Sequence, residues 1–453
     1  MAHPSHAIPW SLLSSHFRYI PSNPSHSSIT NLYPRWRPQQ GADITQFIEA
    51  FVRNLELHAG QAREKYDDVY THPRPEEVVI ADSVAARIAP KIKRNGRVYT
   101  GRDEAETRRA AVSGLLPDEI RRMRAILVPY ARSHCDYRSW EQNNGKAYDA
   151  VEIVKTLLML GEMDTVFRIC AHPDNDYLRW WRVVDCSSGG ACTCNARGWS
   201  SIVRAALKSY ICLNMLYCYP ELWNAASGRN DEKDYRHAMC YQKTLIDTCM
   251  DTWHSPRGNS IMPFLPHQEF FGIANDGPWD RIPPWDSAKA LGYRWDPKPG
   301  LLGIEMFLHL KGEATQLLTA TDVSGVLTIL RSKGLPDELS LRILKLAEYR
   351  PRRRDVGVPR DPLHPQNYEE LRKYLTYCWV LLLRCDMLAT EFGDIIPWKR
   401  LIGTCIVELW GNTSECRGKM YTVFEPLEDL WHYRHPDSTI AREDRFVDEY
   451  RFK

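Results

Sequence analysis

Residues 44–62 read ITQFIEAFVRNLELHAGQA, and when this run is wound at helical pitch Ile44, Phe47, Ile48, Phe51 and Leu55 fall on one stripe with the charged residues opposite. That spacing predicts an amphipathic helix. The same period returns over approximately 75–92, 103–133, 147–169, 199–219, 235–252, 321–333, 337–349, 367–390 and 397–410. Strand-like alternation is scarce, so the expected fold is mainly α.

Between residues 253 and 300 the pattern breaks. This stretch holds eight prolines and four tryptophans, and proline both removes a backbone donor and clashes with the preceding turn, so no long helix is expected there. Rings of that size bury too much apolar surface for a solvated tether. The stretch reads as an ordered, irregular segment joining two helical domains, with Trp279, Trp285 and Trp295 either lining a groove or plugging a core. A length of 453 residues exceeds the size at which one core usually stops growing. The expected division is an arm over 1–42, a helical domain over 43–252, the connecting segment 253–300 and a C-terminal helical domain over 301–453. The first 42 residues contain no Asp or Glu, and Pro4, Pro9 and Pro21 interrupt any regular run, which reads as a mobile arm. Several serines with Arg18, Arg35 and Arg37 give the arm a faint likeness to a transit peptide, but it lacks the charged start and apolar run of a secretory signal.

Composition narrows the function classes. Hydrophobic residues make up 43% and aromatic residues 11%, enough for a packed core. The formal net charge of +2 offers no general attraction to nucleic acid or to an acidic membrane. The longest apolar runs, Ile202 to Tyr219 and Leu371 to Leu388, carry Arg204, Lys208, Arg372, Lys373 and Arg384, which are costly in hydrocarbon, so no membrane span is expected. Thirteen cysteines are an odd number, which suits reduced thiols in the cytoplasm or nucleus and leaves the sequon at Asn412 unused.

Eight of those cysteines lie between Cys170 and Cys249. Within them Cys170, His172, Cys186, Cys192 and Cys194 offer soft ligands of the kind zinc prefers, although a single residue separates each close pair where structural fingers place two to four. Free or buried thiols are the plainer reading, above all for Cys212 and Cys218 in an apolar helix. The loop DCSSGGACTC, 185–194, would equally suit a nucleophile at Cys186, Ser187 or Cys192 with His172 as base and Gly189 and Gly190 shaping an oxyanion hole. No phosphate loop, HExxH, nucleophile elbow or dinucleotide fingerprint occurs.

One further stretch carries a functional expectation: GLPDELSLRILKLAEYRPRRR, 334–354. Pro336 suits the first helical position, Asp337 and Glu338 place negative charge at the N-terminal turn, and Leu339, Ile343, Leu346 and Ala347 form a stripe. Residues 114–129, GLLPDEIRRMRAILVP, repeat the device with Pro117, Asp118, Glu119, Ile120, Met123 and Leu127, as expected of convergent helix capping. Arg350, Arg352, Arg353 and Arg354 read as a solvated charge run or a small phosphate contact.

Leu335, Pro336, Glu338, Leu339, Ile343, Leu344 and Leu346 resemble the opening helix of an F-box, with Cys378 and Trp379 adjacent where that family spaces them and with a longer connection between. The resemblance implies a Skp-type adaptor as partner, met by an edge of Leu335, Pro336, Leu339, Ile343 and Trp379. Residues 334–410 are also similar to helical proteins of filamentous fungi to which no activity is assigned. The expectation is therefore a protein-interaction module, possessing neither a nucleic-acid nor a membrane partner. Its alternative is an enzyme or zinc-dependent protein centred on 170–194.

Overall fold

The computed structural model describes residues 7–20, 31–34, 40–74, 76–85, 88, 153–171, 199–218, 235–249, 270–271, 320–346 and 368–410. These are mainly α-helical. In chain order the principal elements are α1 (Trp10–Ser14), β1 (Phe17–Ile20), β2 (Asn31–Pro34), α2 (Gln40–Arg63), α3 (Met163–Cys170), α4 (Trp199–Tyr217), α5 (Met239–Cys249), α6 (Ala320–Ser332), α7 (Asp337–Leu346), α8 (Tyr368–Glu391) and α9 (Trp398–Trp410). A further helical run covers 153–160, directly before α3. Among the described residues no helix is long and apolar enough to cross a membrane.

α4 is the centre of the packing. Ile202, Val203, Leu207, Tyr210, Ile211, Leu213 and Leu216 are all buried, and so are Lys208, Ser209 and Asn214, so the helix is covered nearly all round as a core helix must be. α8 lies along it and α2 lies along α8, while α5, α9 and α1 close the remaining faces. Phe47 and Phe51, one helical turn apart on α2, carry an aromatic cluster into this centre. Phe51 meets Tyr210 edge-on at 5.7 Å and Trp379 at 5.7 Å, Trp379 lies 5.3 Å from Tyr210, and Trp10 of α1 packs 5.3 Å from Phe47. Four helices therefore share one set of rings, at separations where offset and edge-to-face packing is favourable.

Two features of this packing stand out among the described residues. Helices on both sides of 253–300 contribute to the same hydrophobic core, so among the described residues that segment does not divide the helices between separate cores. The arm expected over 1–42 is, where described, built into that core: Ile8, Trp10, Leu13, Phe17 and Leu32 are buried. Apolar side chains among the prolines outweigh the irregular local pattern once a surface exists to receive them. The arm also supplies the antiparallel pair β1–β2, with Phe17 opposite Pro34 and Ile20 opposite Asn31. Four-residue strands are too short to show a clear alternation in sequence.

Asn31 fastens the pair to the bundle. Its buried amide donates from Nδ2 to the carbonyl of Leu409 (2.9 Å), in the last turn of α9, and its Oδ1 accepts from the N–H of Cys240 (3.2 Å), in the first turn of α5. Both are backbone groups that a helix end leaves without an internal partner. Asn31→Ala is expected to lower the unfolding free energy by about 2 kcal/mol, since it strands two buried polar groups together; the shift of a urea midpoint against wild type measures it.

A second such junction closes the end of the 153–160 run. Arg384 of α8 donates from Nη1 to the carbonyls of Leu158 (3.2 Å) and Met159 (2.8 Å), and the Tyr377 hydroxyl donates to Met159 (3.3 Å). Burial lowers the pKa of the Arg384 guanidinium, and its contact with the negative end of a helix offsets some of that cost. Gly161 makes room: its φ is +83°, and a Cβ there would run into the guanidinium. Gly161→Ala is expected to cost about 2 kcal/mol, through positive φ and the displaced arginine. Thermal melts of Gly161→Ala with and without Arg384→Met would show the two substitutions to be non-additive.

Candidate docking site

α6 and α7 form a helical hairpin, and its turn is written into the sequence. Gly334 has φ of +80°, which lets the N–H of Leu335 reach back to the carbonyl of Leu330 (3.1 Å) and its own N–H to Arg331 (2.9 Å), the bonding of a Schellman ending. Pro336 then precedes α7, and its carbonyl accepts from both the N–H (3.0 Å) and the hydroxyl (3.1 Å) of Ser340. Across the turn the Arg331 guanidinium donates to both carboxylate oxygens of Asp337, at 2.7 and 3.2 Å. The bond from Arg331 holds the Asp337 carboxyl below its usual range. Each charge also sits at the helix end it favours, the arginine at the end of α6 and the aspartate at the start of α7.

The helix fixed in this way is covered on one edge only. At about 100° per residue, Leu346, Leu339, Ile343, Ser340 and Leu344 span a continuous arc of α7. Ser340 and Leu344 are buried, whereas Leu339 is 49% exposed, Ile343 41% and Leu346 77%. Leu341, on another side of the helix, is 59% exposed, and Ile329 on the neighbouring α6 is 60% exposed. Single exposed aliphatics are ordinary on a protein surface; five on one short hairpin are not.

The residues singled out from sequence are distributed unevenly around this edge. Pro336, Leu339 and Ile343 are exposed on it and Leu335 is half-buried in the turn. Trp379 is not on the open surface. It is 2% exposed, its ring held by Phe51 and Tyr210 and met edge-on by His58 at 5.8 Å, so it faces the core and presents nothing to a partner. Ile329 and Leu341 were not anticipated. Leu341 had a legible signal, because it falls off the stripe at a position where an amphipathic helix ordinarily places a polar group.

Cys170, the remaining candidate of another kind, ends α3 and is half-buried. His172, Cys186, Ser187, Gly189, Gly190, Cys192 and Cys194 lie outside the described residues, as do Trp279, Trp285, Trp295, Arg350, Arg352, Arg353, Arg354 and the second Leu-Pro-Asp-Glu segment at 114–129. Among the described residues no group of three or more His, Cys, Asp or Glu side chains gathers in a way that could hold a metal ion. Burial pushes the thiols of Cys212 and Cys378 well above the ordinary cysteine range, the surroundings of structural rather than reactive cysteines.

Comparison with known proteins bears on the whole chain rather than on the hairpin alone. A search of curated proteins and a search of solved structures each found no match. A family model described as "Gramillins biosynthetic cluster protein GRA5" matches residues 11–421, which begins within α1, crosses 253–300 and passes the end of α9. With so much of its length covered, the chain belongs to the GRA5 family of gramillins biosynthetic cluster proteins.

Proposed function

We propose that this chain is a protein-interaction module serving a biosynthetic cluster, and that it docks its partner through the open edge of α7. The observation that supports the reading is the exposure of Leu339, Ile343 and Leu346 beside an edge of the same helix, Ser340 and Leu344, that is buried. Burying a fully exposed side chain of this kind contributes about 1.5–3 kcal/mol, and these three are 41–77% exposed in the free chain, so a partner sealing all three would gain roughly half that from each, a useful share of a micromolar affinity. The hairpin is held in shape before any partner arrives, by the Gly334 turn and the Arg331–Asp337 pair, which reduces the ordering cost of docking.

The partner follows from the F-box resemblance of residues 335–346, which supports a Skp-type adaptor as the chain laid on this edge. Trp379 takes no share in the contact. The family description, a gramillins biosynthetic cluster protein, supplies the setting, in which the adaptor would link this chain to the turnover or assembly of other proteins of such a cluster.

Retention of a purified Skp-type adaptor by the full-length chain is the test. Leu339→Asp and Ile343→Asp are each expected to reduce retention at least tenfold, because a charge placed at the centre of an apolar contact must be desolvated without a partner. Both positions face water in the free chain, so unfolding free energies should stay within about 0.5 kcal/mol of wild type. Adaptor retained equally by wild type and by both variants, or retained by none of the three, overturns the proposal.

A further inference from the structure

We draw no further inference here: the strongest candidate, the apolar surface that Leu341 and Ile329 add to the α6–α7 hairpin, adjoins the site already described, and nothing in the structure shows what covers it.

Discussion

Trp379→Ala is expected to lower the free energy of unfolding by about 4 kcal/mol, the cost typical of emptying a large aromatic site in a core. Its ring meets Phe51 and His58 of α2 and Tyr210 of α4, so the vacancy would open where three helices converge and no single side chain could fill it. Trp379→Phe keeps a ring in place and should cost about half as much. Chemical denaturation of the three proteins measures the series. The series also separates packing from docking: Trp379→Phe should retain the adaptor as wild type does, whereas Leu339→Asp should lose it with its stability intact. A Trp379→Ala variant as stable as wild type would show that the four-helix aromatic cluster is not the centre of the fold.

Glu408→Gln comes next in size. The carboxylate, on α9, pairs with Lys208 Nζ of α4 at 2.8 Å and with the Arg204 guanidinium, and Lys243 of α5 reaches the Glu408 backbone carbonyl at 3.4 Å. Burial pushes the Glu408 carboxyl up, but Lys208, Arg204 and Lys243 outweigh burial and hold it at about 2 against an ordinary 4.5. A depression of that size is worth about 3 kcal/mol. The sign follows from the direction. The folded carboxyl binds its proton less readily than the unfolded one, so the stabilisation is present above pH 4.5 and is lost as the pH falls from 4.5 towards 2. Glutamine keeps the shape and removes the charge that faces the nearly buried Lys208 ammonium at 2.8 Å. The variant should be less stable than wild type by about 3 kcal/mol at neutral pH, with the gap closing in acid. Urea titrations at pH 7 and pH 3 test both halves; a gap that is the same at the two values would mean that the ion pairs do not set it.

Much of the fold was legible in local pattern. The stripe of Ile44, Phe47, Ile48, Phe51 and Leu55 became the buried face of α2, and the periods over 199–219, 367–390 and 397–410 became α4, α8 and α9. Helix periodicity survives into the structure because the side-chain spacing that buries one face is a local property of the chain. The short strands β1 and β2 were not legible, and neither was the seating of residues 7–20 and 31–34. Their hydrogen bonds and covering surfaces come from Leu409, Cys240 and Trp410, more than 200 residues away along the chain, as Asn31 and the 4.8 Å approach of Phe17 to Trp410 show. The burial of Trp379 was not legible for a related reason. α8 is apolar on most of its circumference, so sequence does not say which of its rings turns inward.

The candidate site separates the two kinds of information most clearly. Sequence alone determined that α7 would start after Pro336, carry acid in its first turn and bear an apolar stripe, because capping and periodicity act within a few residues. It determined the stripe of α2 by the same rule. Only tertiary structure decided their opposite fates: Phe47, Phe51 and Leu55 are sealed under α1, α4 and α8, while Leu339, Ile343 and Leu346 are left facing water. An apolar stripe records that a surface gains by being covered; what covers it depends on which distant elements the rest of the chain brings alongside.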